Sequence, residues 1–282
     1  MSNPNIKISE LEKYVTDNLS DPRQIAEFFY YWISLNIEYD YEKLKKIRAN
    51  ELTETGLSKV STIFKEKKAV CIGFSTLYQE FLNGFNIKTE IITGYAKSDE
   101  NLSLEPELDS DFLHAWNAIL IDKEWVLVDV TWAKQFENRI TDFYFDVAPD
   151  KLILTHYPID NNWQLLNNPI TISDFNELPY IHSFYFQTGF PEKPILTSDS
   201  EYYYFEFKKN PNRNWLVKLT YSVDNLNYES VFPEYIKNID GFTYKFSKEK
   251  VPPNSIIRMD LTDFNEEKQT MISYEKIALF NL

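Results

Sequence analysis

Three residues are spaced so that they could carry out nucleophilic chemistry. Cys71 is the only cysteine of the chain, and it begins a segment, CIGFSTLYQEFL, in which apolar residues recur at helical spacing. The pattern predicts that Cys71 lies at a helix N-terminus and that Gly84 is the left-handed residue ending this helix. The free N–H groups and the positive end of the helix dipole favour the thiolate there, which is the nucleophilic form of cysteine.

His114 and Asp129 lie in two segments that alternate between apolar and polar residues. Such segments on either side of the polar pair Asp122-Lys123 predict a β-hairpin. A two-residue turn at this pair puts Trp116 opposite Asp129 and makes His114 a diagonal neighbour of Asp129, with the two Cβ atoms roughly 7 Å apart. An imidazole and a carboxylate at that separation can form a hydrogen bond, so Asp129 could orient His114 as a base.

A thiolate, a base and an orienting acid together predict acyl transfer through a thioester. Cys71 would attack a peptide or glutamine carboxamide carbonyl, and His114 would move the proton from the thiol to the leaving amine. Water as acceptor gives a peptidase or a deamidase, whereas a lysine amine gives a cross-linking transglutaminase. The residues leave the acceptor open.

The order Cys, His, Asp resembles the transglutaminase-like superfamily of papain-type folds. The segments that carry the resemblance are YYWISLNIEYDYE, AVCIGFSTLYQEFL, GYAK and HAWNAILIDKEWVLVDVTW. The phrase YFDVAPDKLILTHYP, followed by WQLL and ITISDFNELP, resembles the kyphoscoliosis-peptidase branch, and the likeness runs from Asp21 to Pro179. It implies a helical N-terminal part, an antiparallel sheet and, further along, an immunoglobulin-like domain. It also implies an upstream oxyanion donor, for which Tyr39 is the candidate; Trp32 is expected in the core.

The expected fold class is α+β in two domains. Residues 1–182 would form a papain-like, transglutaminase-like catalytic domain of N-terminal helices and an antiparallel sheet. From Phe184 onward the chain changes to short alternating segments separated by turn-prone stretches such as VPPN. This pattern predicts a β-sandwich over residues 183–282, which the resemblance implies is immunoglobulin-like.

Composition limits the partners that the chain can have. Its formal charge of −14 makes nucleic acid and anionic membranes unsuitable, because both select for Lys and Arg. One cysteine excludes an internal disulfide framework and a cysteine-based zinc site, and the sequence predicts no cofactor and no metal. No segment is apolar enough to span a bilayer, so the expected location is the cytoplasm, or outside the cell if a signal peptide has been removed.

The predicted partner is a protein or peptide substrate. The stretch from Asp99 to Asp111 contains six acids and no base and precedes His114. Its simplest interpretation is a solvated loop, and the alternative is selection of basic substrates at one lip of the cleft. His156 and His182 are expected to pack or to lie at the surface, because neither stands on an alternating strand opposite a carboxylate. The oligomeric state stays open.

Two further functions remain possible on these residues. A non-catalytic scaffold or interaction module would keep the fold and use its cleft for binding. An arylamine acetyltransferase would share the three residue types, but it needs an acyl-coenzyme site that no segment of this chain suggests.

Overall fold

The computed structural model describes residues 6–49, 51, 59–99, 102, 113–134, 139–210, 215–265 and 270–282. The chain divides into two compact units. The first comprises residues 1–96 and 105–170, and the second comprises residues 97–104 and 171–282. The domain boundary that we predict between residues 182 and 183 stays a prediction.

The first unit begins with helices. Asp21 accepts a hydrogen bond from the Gln24 N–H (2.9 Å) and Pro22 occupies the first helical position, so α2 begins where the sequence predicts. In the described part of the chain, no helix is both long enough and apolar enough to cross a membrane. The helices of this unit are α1 (Ile8–Asn18), α2 (Pro22–Asn36), α3 (Tyr41–Arg48), α4 (Val60–Glu66), α5 (Cys71–Gly84) and α6 (Pro149–Leu152).

The apolar face of α2 packs on α5, the helix that Cys71 begins. Phe29 stacks on Phe81 with ring centroids 4.6 Å apart, and Trp32 meets Phe81 edge-on at 6.0 Å. Trp32 is 4% exposed and lies in the core, as expected. Our prediction for the end of α5 is wrong in one detail. The helix ends at Gly84, but the residue with positive φ is Asn86 (59°).

An antiparallel sheet follows the helices. Its strands lie in the order β6-β5-β4-β3-β7, so β4 is central. Two further strands, β1 (Glu38–Tyr39) and β2 (Lys68–Ala69), form a separate parallel pair just ahead of α5. The strands of the larger sheet are β3 (Thr89–Ala96), β4 (Leu113–Ile121), β5 (Glu124–Val128), β6 (Phe145–Val147) and β7 (His156–Pro158).

The β4–β5 hairpin has the predicted register. Ile121 pairs with Glu124, and the ladder continues to Asn117 and Val128. Asp122 and Lys123 have φ angles of 51° and 72°, as the twisted two-residue turn of a hairpin requires. The strand β5 ends one residue before Asp129, whose N–H instead donates to the Tyr144 carbonyl at 2.9 Å.

The second unit contains two antiparallel sheets, ordered β13-β14-β10-β9 and β12-β11-β15-β16-β8. Phe205 on one sheet meets Phe280 on the other, with ring centroids 4.6 Å apart. Together the two units mix helices and strands, as the α+β class requires. The elements of the second unit are α7 (Ile172–Glu177), β8 (Tyr180–Ile181), α8 (Phe184–Gln187), β9 (Ile195–Ser198), β10 (Tyr202–Lys208), β11 (Leu216–Ser222), β12 (Glu229–Ser230), β13 (Glu234–Lys237), β14 (Gly241–Ser247), β15 (Ile256–Asn265) and β16 (Thr270–Asn281).

Candidate active site

Cys71 is the first residue of α5 and is partly buried. Two backbone bonds of the β1–β2 pair fix the approach to it: the Glu38 N–H donates to the Lys67 carbonyl at 2.8 Å, and the Asp40 N–H donates to the Ala69 carbonyl at 2.9 Å. Tyr39 is thereby held beside Ala69, two residues ahead of Cys71. The short parallel pair therefore brings an upstream tyrosine to the nucleophile.

The surroundings of Cys71 favour its thiolate. Burial raises the pKa of the thiol, but a hydrogen bond and charge interaction with His114 outweigh it. The backbone N–H groups of Ala115 and Ile72 also donate to the sulfur, and the net pKa lies below the ordinary value. A lowered thiol pKa at a helix N-terminus is typical of reactive cysteines.

His114 lies between Cys71 and Asp129. Its Nε2 is 2.7 Å from Asp129 Oδ2, which leaves Nδ1 as the ring nitrogen that can face the sulfur. Burial alone would lower the pKa of His114, yet the Asp129 carboxylate and Cys71 raise it to about 10. The imidazole is thus held as an imidazolium next to a thiol whose pKa is lowered, which is the arrangement of a thiolate–imidazolium pair.

Asp129 is fully buried, and both of its carboxylate oxygens accept hydrogen bonds. Oδ1 accepts the backbone N–H groups of Thr131 (2.8 Å) and Trp132 (3.1 Å), and Oδ2 accepts from His114. Burial raises the pKa of this carboxyl, but the interactions with His114 and His156 outweigh it and lower the pKa well below its usual range. Asp129 is therefore a fixed, ionised acceptor.

His156 is packed in the interior, as we predict, but the structure corrects the expectation that no carboxylate faces it. This residue begins β7, and its Nε2 lies 3.0 Å from Asp129 Oδ2, the oxygen that also contacts His114. Burial lowers the pKa of His156 despite the facing carboxylate. The contact joins residues 27 positions apart through a strand of three residues, which is too short to show alternation. The THYP phrase, in which His156 follows Thr155, was the only signal in the sequence.

His182 has the packing role that we predict for it. Its backbone N–H donates to the Ile277 carbonyl at 2.9 Å, and its ring Nδ1 accepts the Phe184 N–H at 3.1 Å. Burial lowers the pKa of His182 to about 4, so it is neutral at physiological pH. This ring belongs to the second unit and supports the local backbone.

Tyr39 contacts Cys71 through both the side chain and the backbone of the cysteine. Burial, together with the nearby thiol, raises the pKa of Tyr39 above its ordinary value. Its ring is held by Phe74 (centroids 6.2 Å apart) and Tyr41 (5.0 Å). Tyr39 therefore presents a neutral phenol O–H at the nucleophile.

His114, Asp129 and His156 are also the residue types that bind metal ions, and their ligand atoms lie within 4.8 Å of one another. Zinc ligands at about 2.0–2.1 Å in tetrahedral geometry would be roughly 3.4 Å apart. The separations of 2.7 and 3.0 Å in this cluster are shorter and match hydrogen bonds. The donor set fits a hydrogen-bonded network better than a metal centre.

The acidic stretch from Asp99 to Asp111 falls largely outside the described residues. Of its members, Asp99 and Leu102 are described. Its role toward basic substrates stays a prediction.

Residues 9–130 match the model of the transglutaminase-like superfamily. The kyphoscoliosis peptidases of Homo sapiens and Mus musculus are each 28% identical to the chain, over 192 and 204 residues. These matches cover 64% and 68% of this chain but 28% and 29% of the two relatives, so the chain spans less than a third of their length. A solved structure, the crystal structure of a TGase, is 17% identical with a TM-score of 0.34, covering 50% of this chain and 37% of that one. The match over residues 9–130 and the likeness to the kyphoscoliosis peptidases confirm the family resemblance that the sequence predicts.

Proposed function

We propose, on the premise that this chain contains a transglutaminase-like domain, that it is a thiol acyl-transfer enzyme acting on a peptide or glutamine carboxamide. The observation that carries the proposal is the position of His114, which contacts the thiol of Cys71 on one side and Asp129 on the other. His114 thereby joins the three residue types that acyl transfer needs in one continuous series of contacts, which supports the proposal. Packing alone does not call for a partly buried thiol in contact with an imidazole at that place.

The reaction begins at the Cys71 sulfur. The thiolate attacks the carbonyl carbon of the amide, and the C–O electron pair moves onto oxygen. His114, as imidazolium, then gives its proton to the nitrogen of the leaving amine while the C–N bond breaks. A thioester on Cys71 remains, and His114 is neutral and able to accept a proton from the next nucleophile.

The second half releases the acyl group. His114 takes a proton from water or from a lysine amine as that nucleophile attacks the thioester carbonyl. The C–S bond breaks and the thiolate is restored beside an imidazolium. Asp129 holds the tautomer and stabilises the imidazolium in both halves without itself taking the proton.

The negative oxygen that forms in each half needs donors. The Tyr39 O–H and the Cys71 backbone N–H both lie at the nucleophile, and we assign them to this role. A neutral phenol suits this role because the raised pKa of Tyr39 keeps the proton on its oxygen.

Tyr39→Phe should lower kcat by about 10²–10³-fold, as the loss of one oxyanion donor does. Unchanged kcat in a folded variant would remove Tyr39 from the mechanism.

The proposal is tested by mass spectrometry of the intact protein after incubation with a glutamine-containing peptide library. With one cysteine in the chain, any thioester that forms is assigned to Cys71. Hydrolysis yields a deamidated or cleaved peptide, and an added primary amine yields an amine-linked product only if transamidation occurs. Cys71→Ala and His114→Ala are the matched controls. A wild type that neither acquires acyl mass nor forms product, with any peptide or amine, would support the non-catalytic scaffold instead.

For the second unit we propose an immunoglobulin-like sandwich that contacts substrate or partner or supports the catalytic unit. The support is its two antiparallel sheets and the Phe205–Phe280 contact that joins them. A crystal structure of the second unit in which these sheets do not face each other would contradict it. A cytoplasmic location stays a prediction, to be tested by fractionating cells that express the chain.

A further inference from the structure

We propose that His156 is a positioning residue, which holds the carboxylate of Asp129 in the orientation that His114 needs. This inference rests on the proposed function and deepens it, because it adds a fourth residue to the Cys71, His114 and Asp129 group. It is carried by the geometry of one oxygen atom. Asp129 Oδ2 lies 2.7 Å from His114 Nε2 and 3.0 Å from His156 Nε2.

The contacts of the carboxylate leave it one orientation. Two backbone N–H groups, those of Thr131 and Trp132, hold Oδ1, and two imidazoles hold Oδ2. An ionised carboxylate only accepts hydrogen bonds, so both Nε2 atoms must carry a proton. Rotation of the carboxylate away from His114 would break the bond to His156 as well, and the fully buried oxygen would find no water to replace it.

A neutral His156 has one donor nitrogen and one acceptor nitrogen. Its Nδ1 is 2.8 Å from Thr155 Oγ1, and that hydroxyl also lies 3.3 Å from the Leu152 carbonyl. Asp129 only accepts, so the single ring proton of a neutral His156 lies on Nε2 and Nδ1 is an acceptor. The Thr155 hydroxyl can donate to this Nδ1 at 2.8 Å in place of its longer bond to the Leu152 carbonyl. The Thr155 hydroxyl therefore favours the tautomer that donates to Asp129.

The neutral state of His156 leaves the negative charge of Asp129 to balance the positive charge of His114 alone. If His156 were also an imidazolium, two cations would share one carboxylate. Asp129 would then stabilise the protonated form of His114 less. Burial keeps His156 neutral, since its side chain has no exposed surface. Among the described residues, the titratable groups that contact the His156 ring are Asp129, His114 and Tyr144, the last with ring centroids 6.1 Å apart. Asp129 therefore balances a single charge, that on His114.

Aromatic rings enclose His156 and fix its plane. The Trp132 ring lies 4.5 Å away and the Trp116 ring 5.1 Å away, both nearly edge-on. His114 contacts the same two rings, at 5.4 and 6.0 Å. The simplest alternative is that His156 fills space among these rings and contributes nothing through its N–H. A variant that keeps the volume but lacks the donor separates the two roles.

The experiment compares His156→Leu, which removes the donor, with His156→Gln, whose amide N–H can reach the position of Nε2. The first readout is the rate of Cys71 alkylation by iodoacetamide as a function of pH. The acid limb is the low-pH part of this profile, where the alkylation rate rises as the thiolate forms. We expect the acid limb of the Leu variant to lie about one pH unit higher, because a weakened imidazolium stabilises the thiolate less.

The second readout is kcat and KM for whichever acyl substrate the wild type turns over. We expect the Leu variant to lose about 10- to 100-fold in kcat, the worth of one hydrogen bond to a charged group, with KM within about twofold. The Gln variant should regain most of both effects.

A folded Leu variant with the wild-type acid limb would overturn the inference, and so would Gln and Leu variants that are equally impaired. Thermal unfolding of each variant reports whether it is folded. If the Leu variant does not fold, Thr155→Val tests the inference instead. This variant removes the hydroxyl that favours the His156 tautomer with its proton on Nε2. We expect a smaller shift of the acid limb in the same direction, and an unshifted limb would overturn the inference. Alkylation needs no turnover, so a wild type without acyl-transfer activity contradicts the proposed function and still leaves His156 testable.

Discussion

Two aspartates of this protein, Asp129 and Asp260, are buried to a similar degree, but different side chains bind their carboxylates. Asp129 is 0% exposed and Asp260 is 4% exposed, and each accepts a backbone N–H as well as side-chain donors. Asp129 faces two imidazoles. Asp260 faces the guanidinium of Arg258, whose Nε and Nη2 lie 2.7 and 3.0 Å from its two oxygens.

The comparison shows that the partner of a buried carboxylate, and not its burial, decides what the site can do. A guanidinium stays protonated at any pH that a protein tolerates, so the Arg258–Asp260 pair can only hold structure. It lies where the β15–β16 register shifts, beside Lys276, whose φ is 53°. An imidazole gains and loses its proton, so the pair of His114 and Asp129 can carry chemistry when a thiol is within reach.

The largest expected effect comes from Asp129→Asn. An amide of the same shape keeps the packing but presents a donor or a neutral acceptor to His114, so the imidazole loses its tautomer and its charge partner. We expect kcat to fall by about 10³–10⁴-fold, with a much smaller change in KM. The measurement is steady-state turnover of an acyl substrate, with circular dichroism as the test of folding. Asp260→Asn, the matched control in the second unit, should leave kcat within about twofold. Equal losses of kcat in both variants would erase the distinction between the two aspartates.

The converse experiment measures stability in the second unit. Arg258→Met leaves Asp260 as a buried charge without its main partner, and we expect a loss of about 3 kcal/mol in the free energy of unfolding. Urea denaturation followed by tryptophan fluorescence measures it. Arg258→Met combined with Asp260→Leu should recover most of the loss, because the uncompensated charge is then gone. If the double variant is as unstable as the single one, packing rather than charge pairing explains the site.

The two buried aspartates should also differ in how the stability of their pairs depends on pH. The folded pKa of His114 is raised from 6.5 to about 10, so its contribution to stability is fully present below about pH 6.5 and is lost as the pH rises through 10. The folded pKa of Asp129 is lowered, so its contribution is present above the ordinary value of 3.8 and is lost on acidification. The stability difference between wild type and His114→Gln should therefore be greatest between about pH 4 and 6.5 and shrink toward pH 10.

The matched comparison for this pH dependence is Arg258→Gln, whose cost should stay nearly constant from pH 6.5 to 10, because the guanidinium does not titrate there. Unfolding free energies from urea titrations at a series of pH values supply both curves. A His114→Gln difference that is flat over the whole range would mean that the His114–Asp129 pair is not ionic.

The sequence was sufficient to predict the parts of the site that depend on local pattern. The alternation around Asp122-Lys123 gives the hairpin register, and the apolar spacing after Cys71 gives the helix. The alternation does not predict that β5 ends before Asp129. Because the strand ends there, the Asp129 N–H is available to donate to the Tyr144 carbonyl. That exchange depends on contacts between distant segments, which local propensity does not describe.

His156 was missed for a related physical reason. A strand of three residues carries no readable period, and its pairing with β3 becomes visible only when the sheet is assembled. The prediction that Gly84 has the left-handed conformation at the end of α5 is wrong for a simpler reason. Asparagine also tolerates the left-handed region, and Asn86 takes that conformation two residues later. The resemblance alone implies a role for Tyr39, and the β1–β2 pair gives the physical reason for its position.

The central claim is that Cys71 and His114 form an assembled thiolate–imidazolium pair, and the rate of Cys71 alkylation at pH 6 tests it most directly. An unstructured cysteine peptide is almost entirely thiol at that pH. We expect iodoacetamide to modify the wild-type protein at least about tenfold faster than the peptide, and His114→Ala to remove the advantage. With a single cysteine in the chain, no other site contributes to the signal. Equal alkylation rates for the wild type, the variant and the peptide would contradict the account.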